Sequence, residues 1–154
     1  MRKKLRGGNY IRRLRLVYCF ASFMAFLGGA AIYVFFRNSN NMTLFRFFPK
    51  PSVLGSLYTP LHTVSIWNYV FVFNLPYGFW CLSGLLFIRA VWLADTKWGN
   101  IYGIVYIAIV MSYIFLKLPG IIPGTFDILD LAFMGTFAFL ERIVFNMFNR
   151  RKIE

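Results

Sequence analysis

The sequence predicts an all-α integral membrane protein, a polytopic helix bundle with four transmembrane helices. Of its 154 residues, 59% are hydrophobic and only 14% are charged. An ordinary soluble domain is roughly 45–50% apolar and about 25% charged, so this chain has too few polar side chains to cover a water-facing surface. Its apolar residues also form long runs, comparable with the roughly 20 residues that a spanning helix needs. We expect one integral membrane domain, residues 1–154, without a separate soluble domain.

The first span is predicted at residues 16–36. The preceding residues 1–15 carry seven Lys or Arg and no acid, and the apolar run that follows is 21 residues long. The apolar region of a secretory signal has roughly 7–15 residues, so this run is typical of an uncleaved signal anchor. Ala21, Ala25 and Gly29 recur every four positions, a pattern that permits close approach of another helix, within the chain or in a second copy.

The second span is predicted at residues 75–94. The sequence is apolar over residues 61–94, which is too long for one straight span, and Pro76 suits the first turn of a helix. We assign residues 37–74 to an outer loop. Within that loop, residues 65–73 are too few to cross and are rich in aromatic side chains, so we expect an interfacial or re-entrant segment before the second span.

The third and fourth spans are predicted at residues 101–117 and 126–148. The third is short, which leaves open a three-span form in which it is re-entrant and the C-terminus lies outside. Asp127 and Asp130 fall in the first turn of the fourth span, where acids suit the positive end of the helix dipole.

The distribution of cations over these spans predicts the orientation of the protein. With both termini cytoplasmic, 13 of the 17 Lys and Arg lie inside, and the four on the outer side are Arg37, Arg46, Lys50 and Lys117. Because positive residues accumulate on the cytoplasmic side, we expect a multi-pass protein of the bacterial inner membrane with both termini inside. The net charge of +12 is then a topology signal with attraction to anionic lipids. No nucleic-acid partner is expected, because the basic N-terminal run has no aromatic stacking platform.

Acids within the predicted spans are the clearest candidates for function, because charge in a bilayer is costly. Asp127 and Asp130 are spaced i,i+3, which places both carboxylates on one helix face at the outer mouth, and Glu141 continues that face. Two interpretations stay open. The two aspartates cap the helix, or they form a polar site for a head group, a cation or a proton. Together with Asn74 and Tyr77, which open the second span, they would form an outer-face ligand pocket.

Arg89 and Glu141 form a second candidate pair. Arg89 lies 14 residues after Leu75, and Glu141 lies 15 after Phe126, on helices that run in the same direction. Their depths therefore match, and we expect an intramembrane ion pair near the inner leaflet with a structural role. The alternative is that Arg89 snorkels to the interface while Glu141 pairs with Arg142.

The sequence contains no recognisable catalytic or cofactor-binding motif. His62 is the only histidine and has no acid nearby in sequence for a Ser-His-Asp arrangement. Cys19 and Cys81 lie in apolar segments and give neither a disulfide framework nor the spacing of metal ligands. We therefore predict no catalytic residue, metal or cofactor, with membrane lipids as partners, and a non-enzymatic function is favoured over an enzyme.

Two short motifs open the second and the last span, Asn74-Leu75-Pro76-Tyr77-Gly78-Phe79-Trp80 and Pro123-Gly124-Thr125-Phe126-Asp127-Ile128-Leu129-Asp130-Leu131. Over residues 65–140 the chain resembles the VanZ-like family of small multi-pass bacterial membrane proteins. In that family an Asn/Pro element and an Asp-x-x-Asp recur near the outer face, often with a Glu and a Gln near the end of the preceding helix and an Arg shortly before the acids. This chain departs from that pattern, with Ser112, Tyr113 and Lys117 and then Pro123-Gly124-Thr125. The resemblance implies a bacterial envelope protein, linked in some members to glycopeptide-antibiotic tolerance, and supplies no reaction.

Three functions are consistent with the sequence. The first is binding of a lipid or cell-wall precursor head group in the outer pocket of Asn74, Tyr77, Asp127 and Asp130, with a possible link to antibiotic or envelope-stress tolerance. The second is an oligomeric pore-forming effector, of a defence or toxin-like kind, assembled through its first helices. The third is an accessory subunit that anchors a larger membrane complex.

Overall fold

The computed structural model describes residues 2–36, 65–121 and 127–150. Most of the predicted outer loop, with His62, and residues 122–126, which include the first four residues of the second motif, lie outside these ranges. The described residues form four helices and no strand: α1 (Arg2–Phe36), α2 (Ile66–Val91), α3 (Thr96–Phe115) and α4 (Ile128–Arg150). The predicted all-α class is therefore confirmed.

Three of the helices are long and apolar enough to cross a membrane, namely α1 from Tyr10 onward, α2 and α3. Over its described residues, α4 is not among them, because Asp130, Glu141 and Arg142 interrupt its apolar sequence. Three helices thus support a membrane protein directly.

The second helix begins earlier than predicted. Residues 66–91 form one helix, in which α-helical Ile66–Tyr69 continues through a π-helical turn, Val70–Asn74, into α-helical Leu75–Val91. The prediction of a separate interfacial or re-entrant segment at 65–73 is therefore wrong. Pro76 lacks an N–H and crowds the carbonyl four residues earlier, and the wide π turn directly before it accommodates both effects without ending the helix.

The third helix also begins earlier than predicted, at Thr96 rather than at residue 101. Asp95 is the reason, because its extended backbone and its side chain form an N-cap. Its carboxylate accepts hydrogen bonds from the N–H of Lys97 at 3.2 Å and of Trp98 at 3.3 Å. Capping of this kind satisfies N–H groups that a helix start leaves free. The additional turn makes α3 a 20-residue helix, long enough to span.

The helix α2 lies at the centre of the bundle and contacts α1, α3 and α4. Two clusters of buried apolar side chains surround it. The first cluster joins α1, α2 and α4 near one end of the bundle, through Tyr18, Ala90, Leu93 and Phe145. The second cluster joins α2, α3 and α4 through Cys81, Leu85, Ile114 and Met134. The central position of α2 places two of its polar side chains, those of Asn74 and Arg89, inside the protein.

The first helix uses its small residues to pack against α2. Ala25 and Gly29 are buried, and a Cβ at Gly29 would lie 2.7 Å from Nε1 of Trp80. One turn before Ala25, Ser22 Oγ donates to the backbone carbonyl of Ser83 at 2.8 Å. Close packing with a hydrogen bond is typical of helices that associate in lipid. The small-residue face of α1 therefore serves contact within one copy of the chain.

The outer surface of the bundle is strongly apolar between its ends, while several polar side chains are buried inside it. Phe20 and Ile104 are 67% and 68% exposed, whereas Asn74 is fully buried and Asp130 is 3% exposed. A soluble monomer rarely exposes large contiguous apolar patches. This distribution suits a membrane location, in which apolar side chains face lipid and polar ones face each other.

Candidate functional site

Asn74 joins the two aspartates at one end of the bundle. It occupies the last position of the π turn in α2, and its Nδ2 donates to Asp127 Oδ2 and to Asp130 Oδ1, both at 2.9 Å. The two acids flank the beginning of α4, one before its first residue and one in its first turn. The structure thus brings together three of the four residues predicted for the outer-face pocket, through contacts between α2 and the start of α4.

Tyr69 is a member of this cluster that the sequence did not indicate. Its hydroxyl donates to the same Asp127 Oδ2 at 3.0 Å. Tyr69 and Asn74 are five residues apart, and in a regular α-helix, with about 100° per residue, their side chains would diverge by about 140°. The π turn between them has i→i+5 hydrogen bonds and therefore brings both side chains toward one face.

Asp127 both caps α4 and faces the polar cluster. Its Oδ1 accepts the backbone N–H of Leu129 at 2.9 Å, which is a capping contact, while Oδ2 accepts from Asn74 and Tyr69. Burial raises the pKa of Asp127, but these hydrogen bonds and the charge of Lys117 outweigh burial and leave the pKa below its ordinary value. The carboxylate form is therefore the stable form at neutral pH, and the two interpretations of this residue are compatible.

Lys117 brings the fourth predicted residue, Tyr77, into the cluster. Its Nζ donates to the Tyr77 hydroxyl at 3.0 Å and lies 3.9 Å from Asp130 Oδ2. The same ammonium lies 4.6 Å from the ring centre of Tyr77 and 5.5 Å from that of Tyr113, both within cation–π range. The sequence suggested only that Lys117 ends the third span. In the structure it is a buried cation held by a carboxylate and two aromatic rings.

We name Tyr69, Asn74, Tyr77, Lys117, Asp127 and Asp130 the carboxylate cluster. With its charged groups ionised, it has two negative charges and one positive charge. The orientation of the Asn74 amide follows from its neighbours, because both carboxylates require a donor and therefore face Nδ2. Its Oδ1 is buried and has no donor within the described part of the chain. An unpaired buried acceptor beside a net negative charge favours a ligand that brings positive charge and hydrogen-bond donors.

The predicted pair of Arg89 and Glu141 also comes together, nearer the other end of the bundle. Arg89 Nε donates to Glu141 Oε1 at 2.8 Å, and the two side chains are 7% and 3% exposed. Arg89 also donates through Nη1 to Asn100 Oδ1 at 2.7 Å and lies over the ring of Phe145, 4.0 Å from its centre. In the alternative interpretation Glu141 pairs with Arg142, but Arg142 instead donates to Asn100 Oδ1.

Asn100 is the residue of this second group that the sequence did not identify. The sequence pattern assigns Asn100 to a short polar turn before the third span. In the structure α3 begins earlier, at Thr96, and this early start places Asn100 on a helix that faces α2. Beside it lies a partly open cavity of about 300 Å³, whose polar lining is Arg89, Asn100, Glu141 and Arg142. The other lining residues, such as Leu85 and Ile107, are mainly apolar.

The remaining candidates give no second chemical site. Cys81 is buried in the apolar core and Cys19 is half-buried, and both are free thiols. Among the described residues, no three His, Cys, Asp or Glu side chains approach one another closely enough to hold a metal ion. Comparison of the chain with protein-family models, with curated proteins and with solved structures gives no match in any of the three.

Proposed function

We propose that this protein binds the amine-bearing head group of a lipid or cell-wall precursor in the carboxylate cluster. The observation that supports this most is the buried Oδ1 of Asn74, which has no donor among the described residues and lies beside the carboxylates of Asp127 and Asp130. An ammonium group supplies N–H donors and positive charge at once. It therefore satisfies the unpaired acceptor and pairs with the carboxylates of the cluster.

The surroundings of Lys117 support an ammonium rather than another donor. An ammonium already lies between the rings of Tyr77 and Tyr113, with the Tyr77 hydroxyl and Asp130 as acceptors. These groups are the ones that recognise ammonium ligands elsewhere, namely aromatic faces and carboxylates. Its contact with Asp130 is long for an ion pair, at 3.9 Å. The head group therefore competes with Lys117 for the same acceptors, and binding displaces the lysine.

The same proposal includes four spans in the bacterial cytoplasmic membrane with both termini inside. The helix α4 completes the fourth span because its costly groups are paired within the bundle, Asp130 with Asn74 and Glu141 with Arg89. The excess of cations on the cytoplasmic side then places the carboxylate cluster at the outer face. Reporter fusions after Lys97 and after Glu154 test the orientation, and both are expected to report a cytoplasmic position.

We extend this proposal to the cell. The resemblance to the VanZ-like family suggests a role in tolerance of antibiotics or envelope stress. Loss of the protein is expected to lower the concentration of a glycopeptide antibiotic that stops growth. Asp127→Asn is expected to reproduce that loss, since the site is the source of the effect. Equal tolerance with and without the protein would contradict this cellular role and leave the binding experiment unaffected.

Binding is tested with phosphatidylethanolamine and phosphatidylcholine, which share a phosphate but differ in whether the head-group nitrogen carries N–H donors. The full-length protein in detergent is titrated with each lipid, and binding is measured by native mass spectrometry. We expect a preference for phosphatidylethanolamine. Asp127→Asn keeps a good capping residue and removes the charge. It should weaken this binding about tenfold or more, as loss of a charge-assisted hydrogen bond does.

Two further variants separate a binding role from a structural one. Asp95→Asn removes a carboxylate that caps α3 at the other end of the bundle, and it should leave the lipid preference unchanged. Lys117→Met removes the competing ammonium, so it should lower stability without lipid but strengthen binding of phosphatidylethanolamine. Equal affinity for the two lipids, or weaker binding by Lys117→Met, would refute the proposed head-group site.

Oligomer formation is the competing proposal, and the same preparation tests it. Ala25 and Gly29 pack against α2, which leaves less of the small-residue face of α1 for a second copy. A monomer in mild detergent, without ion leakage from vesicles, is expected. A defined ring-sized oligomer that makes vesicles leak would favour the pore-forming effector instead.

A further inference from the structure

The cavity beside Asn100 combines converging positive charge with apolar walls. Arg89 and Arg142, on different helices, both donate to the single oxygen Oδ1 of Asn100. Glu141 neutralises one of the two guanidinium groups through its 2.8 Å contact with Arg89 Nε. The second guanidinium, that of Arg142, adds a further positive charge and is exposed at the cavity. Two guanidinium groups that converge on one acceptor are positioned to bind a further anionic oxygen.

The surroundings of this cavity place it at a membrane interface. Trp92, Trp98 and Tyr102 form an aromatic cluster at the same end of the bundle, with Trp92 and Tyr102 stacked at 5.0 Å between ring centres. Trp and Tyr are enriched at the level of lipid head groups. On the rim of the cavity, Ile104 is 68% exposed. A phosphate at Asn100 would therefore have aromatic side chains at its depth and apolar side chains beside its acyl chains.

We propose that this cavity is a binding site for the phosphate of an anionic phospholipid. The guanidinium groups of Arg89 and Arg142 and the amide Nδ2 of Asn100 donate to the phosphate oxygens, while Leu85, Ile104 and Ile107 contact the glycerol and first methylene groups. The volume, about 300 Å³, exceeds that of a phosphate alone and accommodates the glycerol as well. Basic pockets between transmembrane helices are suited to anionic lipids.

This site is independent of the head-group site at the carboxylate cluster. The two differ in the sign of their charge, since one presents carboxylates and the other guanidinium groups. They also lie fifteen positions apart on α2, at Asn74 and at Arg89. Failure of one proposal therefore leaves the other intact, and a lipid without an amine tests the second alone.

The experiment uses phosphatidylglycerol, which is anionic and has no amine, phosphatidylcholine, which has no net charge, and inorganic phosphate. Binding to the full-length protein in detergent is measured by native mass spectrometry and by the shift of the thermal unfolding midpoint. We expect phosphatidylglycerol to bind and stabilise, phosphatidylcholine to bind at least tenfold more weakly, and phosphate to have little effect without acyl chains. Phosphatidylcholine has the same phosphate, but its quaternary ammonium brings a positive charge beside the two guanidinium groups, and this repulsion is expected to weaken binding about tenfold or more. In the variants, loss of one charge-assisted hydrogen bond to the phosphate corresponds to about tenfold in affinity.

Asn100→Asp is the decisive variant because it places a carboxylate where the two guanidinium groups converge. The new carboxylate should pair with Arg89 and Arg142, keep the fold stable and lower phosphatidylglycerol binding by tenfold or more. Arg142→Gln should lower it about tenfold as well. Arg13→Gln is the matched control, since it removes one exposed arginine from α1 without touching the cavity. It should retain nearly full binding.

Three results would overturn this proposal. Equal binding of phosphatidylglycerol and phosphatidylcholine would show that the protein does not recognise anionic lipid. Full binding by Asn100→Asp, with a stable fold, would place any lipid site elsewhere. Stabilisation by inorganic phosphate equal to that by phosphatidylglycerol would assign the cavity to a free anion instead.

Discussion

Replacement of Arg89 by methionine is expected to be the most destabilising change to a polar residue of the bundle. Methionine keeps much of the length of the side chain but removes the bond to Glu141 Oε1 at 2.8 Å and the bond to Asn100 Oδ1 at 2.7 Å. Glu141, whose side chain is 3% exposed, is then left without its partner. Breaking a buried ion pair on one side costs about 3–5 kcal/mol, because the remaining charge is uncompensated.

The partner variant and the double variant separate the contribution of the ion pair from that of each charge alone. Glu141→Leu removes one of the two bonds and leaves Arg89 on Asn100, so it should cost less, about 1.5–3 kcal/mol. Arg89→Met with Glu141→Leu removes both charges. The double variant should be more stable than the sum of the single changes predicts, by about 1.5–3 kcal/mol, because no orphan carboxylate remains.

The assay is reversible unfolding of the detergent-solubilised protein, followed by circular dichroism for all four proteins of this double-mutant cycle. Interhelical hydrogen bonds in membrane proteins often contribute only about 0.6 kcal/mol, so the expected coupling is well above that background. A coupling energy below about 0.5 kcal/mol would contradict a stabilising role of the buried pair. It would mean that Arg89 reaches water by snorkelling and that the pair contributes little.

Three further predictions concern packing, pH and capping. A Cβ at Gly78 would lie 2.6 Å from the ring of Phe137, so Gly78→Ala should destabilise by about 1–3 kcal/mol, whereas Gly135→Ala, with nothing within 4 Å, should be neutral or stabilising. The folded-state pKa of Asp127 is lowered, so the stabilisation by its carboxylate is present above the unfolded pKa and is lost as the pH falls through the folded value. The thermal unfolding midpoint should therefore decrease when the pH is lowered below about 4, and it should decrease less in Asp127→Asn. Asp95→Ala should lower stability by about 1 kcal/mol through loss of the α3 cap, measured by thermal unfolding.

The helices could be predicted from the sequence because each leaves a strong local signal. Long apolar runs and flanking charges located the C-terminal end of α1 at Phe36 and both ends of α4 to within two residues. The start of α1 was not located, because the helix continues through the basic run back to Arg2. The starts of α2 and α3 could not be located as well. A proline normally marks the beginning of a helix, and nothing in the sequence indicates that a π turn before Pro76 would extend α2 back to Ile66. At α3, the cap by Asp95 adds a turn that hydropathy alone does not detect.

Some residues of the candidate site could likewise be predicted from local sequence patterns, and others could not. The i,i+3 spacing of Asp127 and Asp130 predicted a shared face, and the Asn-x-Pro element supplied Asn74 as their partner. Tyr69 was missed because its alignment with Asn74 requires the π turn, and Lys117 was missed because a lysine at the end of an apolar run usually faces water. Asn100 was missed for a third reason, since its role depends on two arginines that are far from each other in sequence.

The most direct test of the proposed head-group site is an experimental structure of the protein in lipid nanodiscs that contain phosphatidylethanolamine. We predict a head-group nitrogen about 3 Å from Asn74 Oδ1 and within hydrogen-bond distance of a carboxylate of Asp127 or Asp130. Lys117 should have moved away from Asp130. A structure in which Lys117 keeps its contacts with Tyr77 and Asp130, and no lipid nitrogen reaches Asn74, would contradict the proposed function.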